Sequence, residues 1–211
     1  MKIKRIIVGA LQTNCYILTN VDNRSIIIDP GAEPETIIET IEKESVDTAA
    51  IILTHGHYDH IEAVPELIAH FKIPVYASDD EIDLLANPMD NFSSYIGKPL
   101  SIEAEPISQD IIINDLGFHL KLMKLPGHTP GGIGLVGETA FFSGDTVFAA
   151  GGFGRIDLPG GDSQKLAESI EKVLKLPDEL ILHAGHGGRS ILGREKPLWR
   201  KAIKMIENRL I

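Results

Sequence analysis

The sequence predicts an α/β fold, a four-layer αββα sandwich of two mixed β-sheets with helices on the outer faces. Two observations predict this class. In the first part of the chain, apolar runs of strand length alternate with stretches of helical period, and a second group of strand-like runs follows in the second part. This order of elements favours two sheets packed face to face with the helices outside.

The N-terminal elements predict the first sheet. The opening runs KIKRIIV, CYILT and SIIID are typical of an antiparallel meander. Pro34 then begins a predicted helix that ends near Lys43, because proline costs no hydrogen bond in the first turn. The continuous apolar run AAIIL predicts a buried strand that leads directly into Thr54 and His55. A helix at 64–71 and a short strand, PVYA, follow.

The later elements predict the second sheet. Residues 79–105 are interpreted as an insertion near a pocket rim, and strands are expected at 111–113 and 118–125. Gly137-Glu138 can form the turn of a hairpin between GIGLV and TAFFS. Ser163 is the expected cap of a helix, residues 179–182 form a last strand, and a terminal helix carries Leu198, Ile203 and Ile206.

Length and composition predict a single domain over residues 1–211, with a core of its own. The formal net charge of −10 and the lack of a basic cluster argue against a nucleic-acid partner. No apolar run approaches the roughly 18 residues of a membrane-spanning helix, and the apolar run near the N-terminus is too short for a signal peptide. Cys15 is the only cysteine, which favours a reducing compartment, and we expect the cytoplasm.

One segment, His55-Gly56-His57-Tyr58-Asp59-His60, places four metal-binding side chains within six residues. Imidazole and carboxylate ligands suit zinc, manganese or iron, and no cysteine in the segment favours a thiolate site. Further candidate ligands are His128, Asp145 and His186, each of which follows a strand-like run beside a glycine. We therefore expect a metal centre with ligands from several loops.

In their order along the chain, the motifs HxHxDH, PGHT, SGDT and GHG resemble those of the metallo-β-lactamase superfamily, as do the early segments TNCYIL and IDPG. The resemblance implies two divalent metal ions, with zinc expected and iron or manganese as alternatives. It assigns His55, His57 and His128 to one ion, Asp59, His60 and His186 to the other, and Asp145 to both. It also implies that Asp29 supports the metal loop.

The chemistry implied by this resemblance is hydrolysis. Two metal ions about 3.5–4 Å apart can hold a hydroxide that attacks a carbonyl, and Asp59 is a candidate for handling the proton. His60 together with Asp145 resembles the glyoxalase II branch, which hydrolyses S-lactoylglutathione. The glycine-rich segment that ends in Gly154-Arg155-Ile156-Asp157 resembles both short glyoxalase II-like proteins and persulfide dioxygenases. Arg155 is then expected to bind a carboxylate of a small anionic substrate, although a structural ion pair with Asp157 is an equal alternative.

Several alternatives stay open at this stage. The basic C-terminal extension that binds glutathione in full-length glyoxalase II proteins has no counterpart here, and the last motif reads GHGGRS. A small-molecule thioester other than the glutathione adduct is therefore an alternative substrate. A persulfide dioxygenase with one iron, and a noncatalytic metal-binding protein, are competing hypotheses. Phe92 and Tyr95 are candidate lid residues, whereas His70 and His119 are expected to face solvent.

Overall fold

The structure is a computed structural model that describes residues 1–107 and 111–207. The chain forms two compact units, Met1–His119 and Leu120–Ile211, and each contains one mixed β-sheet with helices beside it. The prediction of two mixed sheets flanked by helices is therefore confirmed. Among the helices that the structure describes, none has both the length and the apolar character needed to cross a membrane.

The first unit contains a six-stranded sheet in which the strands follow one another in sequence order. The first two strand pairs are antiparallel and the remaining three are parallel. Its strands are β1 (Lys2–Val8), β2 (Thr13–Thr19), β3 (Arg24–Ile28), β4 (Asp47–Ile52), β5 (Val75–Ala77) and β6 (Glu105–Pro106). Its helices are α1 (Pro34–Glu44), α2 (Tyr58–Ile61), α3 (Val64–Phe71), α4 (Ile82–Ala86), α5 (Ser93–Ile96) and α6 (Ile111–Asp115).

The core of the first unit explains where its loops lie. Ile27 of β3 and Ile51 of β4 share one buried cluster with Ile37 of α1 and Leu67 of α3. This burial fixes the register of the two strands, because a shift by one residue would turn their apolar side chains away from the core. Since β3 and β4 run parallel, the loops that follow them leave from the same edge of the sheet. That edge is where the candidate ligands begin.

The second unit has a five-stranded sheet with the order β11-β10-β9-β8-β7. Its elements are β7 (Lys121–Lys124), β8 (Ile133–Val136), β9 (Ala140–Gly144), α7 (Ser163–Val173), β10 (Ile181–Ala184), β11 (Ser190–Ile191) and α8 (Leu192–Glu207). Leu166 of α7 and Trp199 of α8 are fully buried in one cluster with Phe141 of β9. Strands β9 and β10 are parallel, so Asp145 and His186 follow their ends on the same edge of this sheet.

One predicted strand was wrong: residues 111–113 belong to α6. A short apolar run does not distinguish a strand from a helix by its period. The helix ends at Asp115, Gly117 in the following turn has φ +84°, and the Phe118 amide donates to the Ile113 carbonyl at 3.1 Å. A glycine with positive φ commonly follows the last turn of a helix, and the next amide then donates to the carbonyl five residues before it. The next strand, β7, consequently begins later than the predicted residue 118.

Two further elements differ in their bounds or contacts. The strand predicted at 179–182 is β10, which spans Ile181–Ala184 because Leu180 is still in a turn with Pro177, and it is not the last strand, since β11 follows it. In α8, Ile203 is buried as expected, but Leu198 is 39% exposed. The prediction of one domain over 1–211 stays a prediction.

The cap of α7 also differs from the prediction, which chose Ser163. In the structure Asp162 is the N-cap, and its Oδ1 accepts the Lys165 amide at 3.0 Å. The Asp162 amide donates to the Gly127 carbonyl at 2.8 Å, which ties this cap to the loop that carries His128. A residue with extended backbone followed by a helix is the ordinary position for such a cap, and Asp162 rather than Ser163 has that conformation.

Replacing Asp162 with alanine should lower the free energy of unfolding by about 1 kcal/mol, because the Lys165 amide loses its acceptor. Urea denaturation measures this value. Ser163→Ala is the matched control, and its effect should stay within about 0.5 kcal/mol, since Ser163 is exposed and does not cap the helix. A larger loss in the Ser163 variant than in the Asp162 variant would contradict the assignment.

Candidate metal centre

The carboxylate of Asp29 holds the start and the end of the HxHxDH loop. Its Oδ1 accepts the Thr54 amide at 2.8 Å, and its Oδ2 accepts the Thr54 hydroxyl at 2.6 Å. The Nδ1 atom of His60 lies 3.0 Å from the same Oδ2. Asp29 is buried and has φ +51°, a conformation that aspartate tolerates better than most residues. The expectation that Asp29 supports the metal loop is thus met by direct contacts.

These hydrogen bonds also orient two histidine rings. A carboxylate accepts, so His60 must donate from Nδ1, and its neutral ring then carries the lone pair on Nε2. The single hydroxyl hydrogen of Thr54 is donated to Asp29, so Thr54 Oγ1 accepts from His55 Nδ1, which lies 3.1 Å away. The lone pair of His55 is likewise on Nε2. A hydrogen bond of this kind to the distal ring nitrogen is typical of metal-ligating histidines.

The rings of His55 and His60 are neighbours, with centroids 4.1 Å apart. Asp29, His55 and His60 each offer a ligand atom, and these atoms lie within 4.8 Å of one another. Both histidines are buried, as is His57, whose ring centroid is 4.9 Å from that of His55. The first unit therefore concentrates imidazole nitrogens in a small, water-poor volume, which fits a divalent metal ion.

Asp59 lies on the short helix α2, which begins directly after His57. Its Oδ2 accepts the Thr13 hydroxyl at 2.9 Å and lies 3.5 Å from Nε2 of His60. The backbone of Asp59 approaches the IDPG segment so closely that a Cβ on Gly31 would lie 1.7 Å from the Asp59 carbonyl oxygen. Gly31 is therefore required by packing, and this contact explains why the IDPG segment accompanies the metal loop.

Two residues outside the motifs hold the middle of the loop, and the sequence analysis did not single them out. Glu81 is fully buried, and its Oε1 accepts the amide of Gly56 at 2.9 Å, between the two histidines. The Tyr58 amide donates to the Asn91 carbonyl at 2.8 Å. Glu81 and Asn91 both belong to the polar stretch 79–105, where a single acidic or amide side chain matches no motif that would predict a supporting role. Thr13 and Thr54 were also missed as supporting groups.

The second unit brings together its own three predicted ligands. Nε2 of His186 lies 3.3 Å from Oδ2 of Asp145, and Nε2 of His128 lies 3.8 Å from the same oxygen. The Arg155 carbonyl accepts from His128 Nδ1 at 2.7 Å, and because a carbonyl cannot donate, the lone pair of His128 is on Nε2. The carboxylate of Asp145 thus lies within 4 Å of both imidazoles.

The C-terminal helix α8 fixes the glycine-rich loop that leads to Arg155. Glu195 accepts the Gly151 amide at 2.9 Å and the Ser190 hydroxyl at 2.6 Å. The indole of Trp199 donates to the Phe148 and Gly152 carbonyls, both at 3.1 Å. Because both side chains are buried, these bonds cost little to maintain once α8 is packed. The loop therefore has a defined path.

Arg155 and Asp157 form an exposed, bidentate ion pair at 2.9 and 2.7 Å. Hydrogen bonding to the guanidinium lowers the pKa of Asp157 to about 2, and the carboxylate in turn raises the pKa of Arg155. Both groups are consequently charged throughout the neutral range. The ion-pair alternative is confirmed as a contact. It leaves the Arg155 side chain 64% exposed, so the guanidinium is still accessible to an anion.

Other candidate residues lie where the sequence analysis expected them. His70 is on the surface beside Glu42, and His119 is exposed. His183, for which the sequence made no assignment, stacks on Phe142 within the second sheet, with centroids 4.9 Å apart. Burial raises the pKa of the Cys15 thiol, which keeps it protonated and removes it as a thiolate ligand. The donors that the described residues offer are thus imidazoles and carboxylates, which suit zinc, iron or manganese.

Replacing Asp29 with asparagine should weaken zinc binding about 10- to 100-fold. An amide nitrogen at the Oδ2 position would donate toward His60 Nδ1, so the His60 proton would move to Nε2 and occupy the lone pair that binds metal. Competition with a chromophoric chelator measures the affinity. Asp47→Asn is the control, because Asp47 is 78% exposed at the far end of β4. Equal zinc affinity in Asp29→Asn and wild type would contradict this orientation role.

Comparisons with known proteins agree with this site. The family model of the metallo-β-lactamase superfamily matches residues 8–186. Hydroxyacylglutathione hydrolase GloC of Haemophilus influenzae is 35% identical over 209 residues, covering 93% of this chain and 95% of that protein. The probable metallo-hydrolase YqgX of Bacillus subtilis is 38% identical over 194 residues, covering 89% and 90%.

Among solved structures, the crystal structure of the BLEG-1 B3 metallo-β-lactamase has a TM-score of 0.84 and 36% identity, covering 93% of this chain and 97% of that one. Its similarity extends through both sheets of the present chain. The family model likewise spans every candidate ligand from His55 to His186. The chain therefore belongs to the glyoxalase II-like branch of the metallo-β-lactamase superfamily and is a metallo-hydrolase.

Proposed function

We propose that this metallo-hydrolase cleaves a small-molecule thioester, with S-lactoylglutathione as the leading candidate. The single observation that carries the proposal is the orientation of the imidazole donors: the hydrogen bonds at Nδ1 of His55, His60 and His128 place the lone pair of each neutral ring on Nε2. The similarity to a hydroxyacylglutathione hydrolase over nearly the whole chain supports the thioester as substrate.

The proposed centre holds two divalent metal ions with the seven ligands that the sequence motifs name. His55, His57 and His128 would hold one ion, Asp59, His60 and His186 the other, and Asp145 would contact both. Ions so held supply a nucleophilic hydroxide at neutral pH and polarise the carbonyl that it attacks. We propose zinc as the metal, with iron or manganese as alternatives, and we propose that residues 1–211 form a single domain, since the family model spans both units.

Several residues of the chain have roles that follow from their contacts. Asp29 keeps the lone pairs of His55 and His60 directed away from itself. Asp59, whose side chain is 19% exposed, is proposed to receive or orient the proton of the attacking water. Its hydrogen bond from Thr13 holds the carboxylate in one orientation, which would favour a fixed direction of proton transfer.

Arg155 is proposed to bind a carboxylate of the substrate. Its guanidinium is exposed and already adopts bidentate geometry with Asp157, the geometry that a substrate carboxylate would use. The net charge of −10 makes a nucleic acid an unfavourable substrate. Because the sole cysteine is a buried thiol, we propose a reducing compartment, the cytoplasm, as its location.

Two other activities have specific support and belong in the same test. The structure of TTHA1623 in a di-iron-bound form has a TM-score of 0.78 and 30% identity, covering 90% of this chain and 95% of that one. It favours testing iron as the metal, and the persulfide dioxygenase stays in the test as the alternative that the sequence left open. The B3 β-lactamase neighbour favours testing a β-lactam. The thioester ranks above both because several relatives to which the chain is similar are hydroxyacylglutathione hydrolases.

The decisive experiment combines metal analysis of the purified protein with a substrate panel. Apoprotein is loaded with zinc, iron or manganese and tested on S-lactoylglutathione, other thioesters, a cephalosporin and glutathione persulfide. We expect two metal equivalents per chain and thioester hydrolysis that is lost on chelation and restored by metal. His57→Ala should bind less metal and lose most of the activity.

Other outcomes would replace the proposal. A single iron per chain with oxygen uptake on glutathione persulfide would indicate a persulfide dioxygenase. Turnover of the cephalosporin alone would indicate a lactamase. Metal binding without turnover of any panel substrate under all three metals would indicate a noncatalytic metal-binding protein.

Replacing Arg155 with alanine should raise KM for anionic thioesters at least about fivefold, with a smaller change in kcat, because a charged hydrogen-bond donor to the substrate is lost. Steady-state kinetics measures the split. Asp157→Ala is the discriminating partner variant: it should leave KM unchanged or lower it, since the guanidinium is then fully available. A KM that stays at the wild-type value in Arg155→Ala for every anionic thioester would exclude this role.

A further inference from the structure

The segment 87–100 is fixed beneath the metal loop by one buried side chain. Asn91 donates from Nδ2 to the Leu85 and Leu100 carbonyls, at 3.1 and 2.8 Å, and its Oδ1 accepts the Ser93 amide at 3.0 Å. Its own carbonyl accepts the Tyr58 amide from the metal loop. All of these groups are satisfied by the chain itself, so the position of the next residue, Phe92, is set by a rigid frame.

Phe92 has a backbone conformation that its side chain disfavours. Its φ is +69°, in the left-handed region that glycine adopts without strain and bulky residues rarely enter. Strain of this kind persists where the surrounding structure enforces it, and it concentrates at ligand-binding sites. Here the result is a ring that lies edge-on to His57, with centroids 5.7 Å apart. A glycine would fit the backbone better but would leave no ring beside the metal ligand.

The same segment exposes an unusual amount of apolar surface. Tyr95 is 64% exposed and Ile96 is 60% exposed, and the rings of Phe92 and Tyr95 lie 5.7 Å apart. The two rings and the neighbouring Ile96 give this segment an exposed apolar surface. We call it the Phe92 surface. Helix α5 has no acidic or basic residue in its terminal turns, which suits an uncharged ligand group.

We infer that the Phe92 surface binds the hydrocarbon part of the acyl group, so that the natural substrate is a thioester with a larger apolar acyl substituent than lactoyl. This inference rests on the proposed thioester hydrolysis. The occupant is the acyl group because the surface begins at the ring of His57, a proposed metal ligand, and the carbonyl that is attacked must lie at that metal. The charged thiol portion of an anionic thioester would gain nothing from an uncharged aromatic surface, whereas hydrocarbon would be removed from water there.

The test measures kcat/KM for a series of thioesters with one common thiol and linear acyl groups from acetyl to hexanoyl. For the zinc-loaded wild-type protein we expect a rise of about threefold per added methylene. Phe92→Gly, which suits the positive φ, should fold as well as wild type and reduce the rise to below about twofold. Tyr95→Ser should have a smaller effect in the same direction. Val21→Ser is the control, because Val21 is 93% exposed on another loop and should not alter the series.

A second measurement separates this inference from the proposed function. Calorimetry follows the binding of linear carboxylates, from acetate to hexanoate, to zinc-loaded protein; these are the acids that carry the acyl chains of the series, and their binding requires no turnover. Affinity should rise with chain length in wild type and much less in Phe92→Gly. If wild type hydrolyses no thioester while the carboxylate series still shows this difference, the proposed function fails and the apolar site stands. Affinities and kcat/KM values that do not depend on chain length, or that depend on it equally in both proteins, would overturn the inference.

Discussion

The buried carboxylate of Asp29 is the interaction on which the metal loop depends. It accepts the amide and the hydroxyl of Thr54 and the ring N–H of His60. A buried carboxylate is costly unless its oxygens are hydrogen-bonded, and here both are. Because the Thr54 hydroxyl donates to Asp29, its oxygen accepts from His55, which places the ring proton of His55 on Nδ1. One side chain therefore sets the start of the loop, its last histidine and the tautomers of two ligands.

This arrangement follows from the order of the strands. Because β3 and β4 are parallel neighbours, Asp29 and Thr54 leave the sheet side by side, although 25 residues separate them in sequence. The α-helical crossover between the strands buries apolar side chains against the sheet and keeps that alignment. The second unit has the same arrangement: β9 and β10 are parallel neighbours, and Asp145 and His186 follow their ends. In both units the candidate metal ligands follow the ends of strands, and the packing of the core fixes the positions of those strands.

The sequence was most informative where a residue type has few uses. Four side chains of metal-binding type in six residues, followed by histidines and an aspartate beside glycines, predict the candidate ligands from residue types alone. The strands that precede these residues were also predictable from their apolar runs. Less was predictable where one pattern suits two structures. The run at 111–113 is as apolar as a strand but belongs to a helix that ends at Asp115, and the cap of α7 shifted by one residue to Asp162.

The supporting groups were beyond sequence reasoning for a different reason. Glu81 and Asn91 act through backbone amides and carbonyls of the loop, so their role depends on three-dimensional position and not on a motif. The strain at Phe92 could not be predicted from the sequence either. A phenylalanine in an extended backbone has no such strain, and only the structure shows that φ is positive here. These residues connect the metal loop to the segment 87–100, where the ligands of the metal and the proposed binding surface for the acyl group meet.

The most direct test of the account is anomalous diffraction at the zinc edge from crystals of the zinc-loaded protein. The account predicts two zinc peaks, one contacted by Nε2 of His55 and the other by Nε2 of His60, with Oδ2 of Asp29 still hydrogen-bonded to Nδ1 of His60. Zinc bound by Asp29 itself, or the absence of zinc from both histidines, would contradict it.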